Sequence, residues 1–261
     1  MQETLQREDA TPSFPTIRNV PMLEPFTWVV AAARDLRRAP LASLFYGCVF
    51  AAMGWGLEAL FVSAPHQTIT LITGFMLLGP FLSIGLYEIS RRLEEQDKVR
   101  FLPTLTAWRA NLSGISLFAM ILALAFAGWM RVSVVVFALF YTEQVPTIEG
   151  MFASTFFSAD NLPFLTIYFG TGLLFALLVF AISVVSIPML LDRDGDTITA
   201  IFTSCIALWR NPAAMTVWGL IIVGVCTLGF ATHFFGLVLA LPLIGLASWH
   251  AYRDIVLPPP A

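Results

Sequence analysis

Residues 163–191 read PFLTIYFGTGLLFALLVFAISVVSIPMLL, and none of these side chains is charged. About 20 apolar residues in a helix are enough to cross the roughly 30 Å of hydrocarbon in a bilayer. The run exceeds that minimum length. It therefore predicts a membrane-spanning helix, and it decides how the rest of the chain is interpreted.

The composition of the whole chain has the same character. Hydrophobic residues make up 58% of the chain, charged residues only 12%, and the mean hydropathy is +0.81. A soluble domain carries about 25% charged residues, so this chain has too little polar surface to cover a water-soluble globule. The net charge is −3 and the basic residues form no patch, which argues against nucleic acid as a partner.

Five further runs are apolar enough to span a membrane. They comprise residues 41–64, 68–90, 113–141, 213–231 and 233–252. The connections within the first and last pairs are very short, which predicts tight hairpins. The predicted fold is therefore an all-α integral membrane protein with six transmembrane helices arranged as three hairpins.

The positions of Lys and Arg give the orientation of these spans. Thirteen of the 14 basic residues flank one set of span ends, and the three opposite connections contain none. Cytoplasmic loops carry such an excess, so we expect both termini in the cytoplasm and the chain in a bacterial inner membrane. Residues 1–25 predict a disordered cytoplasmic tail with no signal peptide, residues 26–256 a single transmembrane domain, and residues 257–261 a short C-terminal tail.

A short polar segment precedes each predicted hairpin. The three segments are residues 26–40, 105–113 and 205–212, and the last two share Trp-Arg followed closely by Asn. Such segments are typical of amphipathic helices in the cytoplasmic interface, with Trp at the headgroup level and Arg near anionic lipid. The sequence thus predicts a threefold internal repeat with a pseudo-threefold axis.

A proline lies part-way along the second helix of each predicted hairpin, at Pro80, Pro188 and Pro242. Proline kinks a helix and frees the carbonyl four residues earlier, which in lipid must find a partner in protein or water. One interpretation is a cytoplasm-facing cavity lined by those carbonyls. The other is that the kinks only shape helix packing, and glycine–alanine pairs four residues apart, such as Gly47 and Ala51, also indicate close packing.

Two charged residues lie within predicted spans, Glu58 and Arg131. A charge within the membrane is unfavourable unless it is paired, so such residues are functional candidates. Both are predicted at comparable depth in the outer half of the membrane, and we expect them to form an ion pair. The alternative is that each side chain extends separately to water.

Four polar or ionisable residues lie at the predicted cytoplasmic helix ends: Tyr87, Glu88, His250 and Tyr252. Interfacial anchoring is the common explanation for such a set, and proton handling or ligand contact is the other.

No motif for cofactor or metal chemistry is recognisable. The run from Asp192 to Asp196 resembles the start of a calcium loop, but Gly195 stands at position four instead of six and Thr203 at position twelve. Asp196 is better explained as the N-cap of a helix that begins at Thr197. His66 and His233 lie in turns at one predicted membrane surface, and His250 lies at the opposite one. A haem held by the first two would need long-range packing that the sequence does not show. We therefore expect no catalytic site, no cofactor and no metal.

Several strings in the chain resemble an uncharacterised bacterial family of predicted integral membrane proteins (DUF2189-like). They are 44–47 LFYG, 79–80 GP, 129–131 WMR, 186–193 SIPMLLDR and 249–254 WHAYRD. The resemblance runs over nearly the whole chain. Some members carry the label cytochrome c oxidase subunit I, which would imply twelve helices and six histidine ligands. This chain has half as many predicted helices and three histidines.

The sequence leaves two functions open. The first is a non-catalytic accessory, scaffold or assembly component that contacts the lipid bilayer and other membrane-protein subunits. The alternative is a small transporter or channel built on the proline-kinked helices around a polar axis, with Glu58 and Arg131 as gate or relay. Nothing in the sequence specifically supports an enzyme.

Overall fold

The computed structural model describes residues 15–63, 82–95, 99–140, 162–193 and 195–258. Within these ranges the regular structure is helical, apart from one antiparallel bridge between Ile17 and Val256. The all-α prediction is confirmed for this part of the chain. Pro80 and most of the second predicted span lie outside the described residues.

Ten α-helices follow one another in the described ranges. They are α1 Glu24–Arg38, α2 Pro40–Ser63, α3 82–95, α4 Phe101–Thr104, α5 Leu112–Phe140, α6 Leu162–Ser183, α7 Ser186–Asp192, α8 Thr197–Arg210, α9 Pro212–Ala231 and α10 Leu237–Ile255. A 3-10 helix, Ala107–Asn111, leads into α5.

Four helical stretches in the described residues are long and apolar enough to cross a membrane: Pro40–Ala59, Ala107–Phe140, Leu162–Asp192 and Pro212–Ala231. They correspond to the first, third, fourth and fifth predicted spans. The sixth predicted span forms α10, whose last turns carry His250, Arg253 and Asp254 and are correspondingly less apolar. Six spans in three repeated hairpins therefore stay a prediction.

Helix α10 lies against α1 and α2, which run antiparallel to it. The closest approach is at Gly47, where a Cβ atom would lie 2.0 Å from the carbonyl oxygen of Val238 and 2.9 Å from Cγ of Pro242. About two helix turns further along α2, Gly54 accommodates the ring of Phe234. The carbonyl that Pro242 frees is therefore covered by the backbone of α2, which is the packing role of a kink.

The helix is interrupted between α6 and α7, just before Pro188. The Ser204 hydroxyl on α8 donates to the carbonyl of Ala181 at 2.7 Å, and the Ser186 hydroxyl lies within bonding distance of the carbonyls of Ile182 and Ala200. Hydroxyl groups of the protein thus bind the backbone groups beside this interruption. Here too the surroundings of the proline are packed by a neighbouring helix.

The predicted interfacial segments differ in what they cover. Trp28 on α1 is only 2% exposed and packs edge-on against Trp218, with ring centroids 5.8 Å apart. The ring is therefore surrounded by protein, because the apolar face of α1 is buried against α9 and α10. Trp209 on α8 is 87% exposed, so this segment has the predicted outward tryptophan.

Candidate functional site

Polar side chains collect at the end of the bundle where α2 and α9 begin and where α3, α7 and α10 end. We call this the polar end. All four candidates predicted for the helix ends lie there or close to it. Tyr87, Glu88 and Tyr252 are buried, and His250 is partly buried. Their surroundings are protein side chains, which is not the environment of interfacial anchors.

Asp35 on α1 is the centre of the first group. It is 6% exposed, and its Oδ2 atom accepts a bond from the Ser90 hydroxyl at 2.7 Å and lies 2.8 Å from Nε2 of His250. Nδ1 of the same imidazole is 3.9 Å from the Glu94 carboxylate. One histidine thus lies between carboxylates of two other helices, α1 and α3.

Asp192 is the centre of the second group, at the end of α7. The Tyr252 hydroxyl donates to its carboxylate at 2.6 Å, and Arg253 approaches the same oxygen at 3.6 Å. Nε of Arg193 donates to the Tyr252 oxygen at 2.9 Å, so this hydroxyl both donates and accepts. Arg253 also contacts Glu94 at 3.2 Å, which joins the second group to the first.

Glu88 forms the third group within α3. Its side chain is 2% exposed, and its two oxygens contact Arg91 at 2.7 Å and Arg92 at 2.6 Å. A buried carboxylate is unfavourable without such partners. One turn's spacing along the helix places both guanidinium groups on it.

The segment that precedes α1 covers the outer side of the polar end. Arg18 donates its backbone N–H to the carbonyl of Ile255 at 2.8 Å, and its guanidinium is 3.1 Å from Asp254. The Asn211 side chain accepts from the N–H of Val20 and donates to the carbonyl of Arg18. Residues 15–25 were predicted as part of a disordered tail, but in the structure these contacts bind them to the ends of α8 and α10.

Asp196 is the N-cap of α8, as predicted. Its carboxylate accepts from the N–H of Thr199 at 2.8 Å and from the Thr199 hydroxyl at 2.7 Å, and α8 begins at Thr197. These bonds to the ionised form hold the pKa of Asp196 below its usual range. The described residues contain no cluster of three metal-ligating side chains, and Asp194 lies outside them.

The predicted ion pair between Glu58 and Arg131 is not formed. Both side chains are exposed on the surface of the bundle, and no salt bridge joins them. The reason is the packing of their helices, since α2 lies against α10 whereas α5 lies against α6. Equal depth in the membrane would allow the two side chains to pair only if α2 and α5 packed against each other.

The turn between α9 and α10 has an unusual backbone. His233 and Phe234 have φ angles of 49° and 67°, a left-handed conformation that is unfavourable for side chains of this size. Nε1 of Trp55 donates to the His233 carbonyl at 2.7 Å, and the Trp55 ring packs on Phe235 with centroids 4.7 Å apart. Helix α2 thus holds this turn in place.

Two residues of this arrangement were not recognised in the sequence. Asp35 lies in the run Arg-Asp-Leu-Arg-Arg, which is typical of a solvated surface, and its partner His250 is 215 residues away. Trp55 was not among the candidate residues either. The helical periodicity of α1 places Asp35 on its buried face. A charged residue at such a position is the signal that could have identified it.

The comparisons with known proteins bear on the fold class. Residues 68–192 match DUF2189, a family described as predicted integral membrane protein. The resemblance found in the sequence is thereby confirmed over slightly less than half of the 261-residue chain. With the four long apolar helices, the DUF2189 match identifies an integral membrane protein.

No curated protein and no solved structure matches the chain.

Proposed function

We propose that this DUF2189 protein is a non-catalytic accessory or scaffold component of a bacterial inner membrane, with both termini in the cytoplasm. The observation that supports the proposal is that the carboxylates of the polar end bind side chains of the same chain. These contacts join α1, α3, α7 and α10 to one another. Such a network stabilises the fold, and its side chains are bonded to one another.

The geometry at Asp35 argues against nucleophilic catalysis. In a nucleophile–base pair the hydroxyl donates to the imidazole, and a carboxylate orients the imidazole from its other side. Here the Ser90 hydroxyl and Nε2 of His250 both contact the same oxygen, Oδ2 of Asp35. The hydroxyl and the imidazole therefore share one acceptor, and the imidazole is not aimed at the serine.

The proposed orientation rests on the distribution of arginine. Arginines 18, 91, 92, 193 and 253 all take part in contacts at the polar end. An excess of basic residues is typical of the cytoplasmic side. The first and last described stretches of the chain pair at this same end through the bridge between Ile17 and Val256.

Outward apolar side chains give such a component surfaces for lipid or for other subunits. Leu124 on α5, Leu174 on α6 and Leu220 on α9 are each 66–67% exposed. The three positions lie on different helices but are matched in side chain and exposure. They therefore serve as equivalent reporters of what covers each helix.

The test places a photo-activatable amino acid singly at Leu124, Leu174 and Leu220 of the full chain in its own membrane. A scaffold component yields a reproducible protein adduct from at least one position, while the others yield lipid adducts. Mass spectrometry identifies the adducts, and copurification in mild detergent repeats the result. Lipid adducts alone from all three positions, with no copurifying protein, would refute the proposed role.

The alternative function is a small transporter or channel. What favours it is the row of ionisable groups formed by Asp35, His250 and Glu94, which spans three helices at one end of the bundle. It predicts substrate-dependent flux in proteoliposomes that fails when Glu94→Gln or His250→Asn is introduced. Flux that is absent in the wild type removes this alternative.

A further inference from the structure

Two sets of arginines at the polar end differ in their partners. One set contacts the carboxylates of the network described above. The other set is exposed and makes no ion pair with any carboxylate in the described ranges: Arg34, Arg37, Arg100 and Arg109. Because Asp35, Glu88 and Asp192 are occupied inside the network, they do not neutralise these outward guanidinium groups.

Arg100 lies in an open cleft of the segment that precedes α5. The cleft is lined by Arg100, Phe101, Leu102, Pro103 and Thr106, so a cation and a hydroxyl stand beside apolar side chains. This lining combines the two surfaces of a phospholipid, a charged headgroup and hydrocarbon chains. None of these described lining residues is a carboxylate.

The position of the cleft along the bundle is given by two contacts with α2. The ring of Phe101 packs on Phe45 with centroids 4.9 Å apart, and the Thr104 hydroxyl is 2.9 Å from the Tyr46 hydroxyl. Since α2 begins at Pro40, these contacts lie within two turns of its start. The cleft is therefore at the level where a spanning helix enters the membrane.

Arg109 lies on the same segment. Its guanidinium carbon is 5.3 Å from the ring centroid of Trp108, which keeps the charge beside an aromatic face. Leu102 is 75% exposed, and Leu105 and Leu112 are exposed as well. Tryptophan, arginine and outward leucine together are typical of a segment at the lipid headgroups.

We propose that residues 100–112 bind an anionic phospholipid. Arg100 and Arg109 contact the phosphate and the anionic headgroup, because a guanidinium group forms paired hydrogen bonds with phosphate oxygens. The acyl chains run along Leu102 and Leu105. The proposal requires insertion into a membrane, and it is independent of whether the protein acts as a scaffold or as a transporter.

The test uses the purified full chain in nanodiscs of phosphatidylcholine with a minor fraction of phosphatidylglycerol. Native mass spectrometry measures how far phosphatidylglycerol is enriched among the lipids that stay bound. The variants are Arg100→Gln, Arg109→Gln and their combination. Arg131→Gln is the matched control, because Arg131 is also exposed and makes no ion pair with a described residue, but lies well inside the apolar length of α5.

We expect enrichment in the wild type and in Arg131→Gln. Each arginine near an anionic membrane surface contributes about a fivefold preference, so the single variants lose part of the enrichment and the double variant nearly all of it. Raising the ionic strength lowers the wild-type enrichment as well, since exposed charges are screened. This salt series uses only the wild type, so it tests the site even if the double variant fails to fold.

Three results would overturn the proposal. The first is equal retention of the two lipids by the wild type. The second is full enrichment in the double variant, or the same loss in Arg131→Gln. The third is complete displacement of phosphatidylglycerol by inorganic phosphate at equal charge concentration, which would mean that the lipid chains contribute nothing.

Discussion

Replacing Gly47 by alanine tests the contact between α2 and α10 most directly. The added Cβ would lie 2.0 Å from the Val238 carbonyl oxygen, 2.7 Å from its carbon and 2.9 Å from Cγ of Pro242. A carbon and a carbonyl oxygen approach to about 3.3 Å even in weak hydrogen bonds, so the helices must separate by roughly 1.3 Å. None of the three atoms belongs to a flexible side chain.

The size of the expected loss of stability follows from the fact that none of these atoms can easily move away. Overpacking costs about 1–3 kcal/mol, and the upper end applies where backbone and a proline ring must move. A loss of about 3 kcal/mol lowers the folding equilibrium constant roughly a hundredfold. We therefore expect Gly47→Ala to unfold at a distinctly lower denaturant fraction than the wild type.

Gly56→Ala is the matched control for this prediction. It lies on the same helix, and among the described residues a Cβ there meets nothing within 4 Å. Alanine is a better helix former than glycine, so this variant should be as stable as the wild type or more stable by up to about 1 kcal/mol. Unfolding is followed by circular dichroism in mixed micelles with an increasing fraction of SDS.

Equal stability of Gly47→Ala and Gly56→Ala would refute the close approach of α2 and α10. So would a large loss in both variants, since the effect would then belong to the helix itself and not to its contact.

Three further changes test the polar end and the turn. Asp35→Ala removes the acceptor shared by two helices and should lower the free energy of unfolding by about 1.5–3 kcal/mol in the same micelle titration, and no change would contradict a structural network. Trp55→Phe keeps an aromatic ring but loses the bond to the His233 carbonyl, for which we expect about 1 kcal/mol, whereas no loss in Trp55→Phe together with a loss in Trp55→Ala would assign the effect to the ring. Asp196→Ala removes a helix cap and should lower stability by about 0.5–2 kcal/mol. Because bonds from Thr199 lower the pKa of Asp196, its contribution is present above the usual Asp pKa of about 4 and is lost as the pH falls through the lower folded value. Unfolding curves of the wild type and Asp196→Ala should therefore differ at neutral pH and converge in acid, and a difference that persists in acid would contradict this cause.

Local sequence patterns predicted the helical class and the cap of α8. Length and apolar composition identify the spans of α2, α5, α6 and α9, because those properties follow from the bilayer and need no knowledge of neighbours. The N-cap at Asp196 is also local, since its partner Thr199 is three residues away. Such features are determined by residues close together in the chain.

Contacts between distant residues could not be predicted in the same way. Glu58 and Arg131 lie at similar predicted depth, yet their helices pack against other partners. Conversely, Asp35 and His250 meet because α1 lies along the last turns of α10, which no periodicity in either helix indicates. The depth of a residue in the membrane follows from its position in an apolar run. The neighbours of its helix depend on the packing of all the helices together.

The pairing of α1 with α10 also determines when the fold can be completed. Trp28 and Asp254, which share a hydrogen bond, are 226 residues apart. At a synthesis rate of about 5–20 residues per second, the earlier residue precedes the later one by roughly 10–50 s. Throughout that interval the apolar face of α1 and the buried carboxylate of Asp35 have been made while their partners have not. Helix α1 therefore reaches its final position only after α10 has been made, because α10 is the helix against which α1, α2 and α9 all pack.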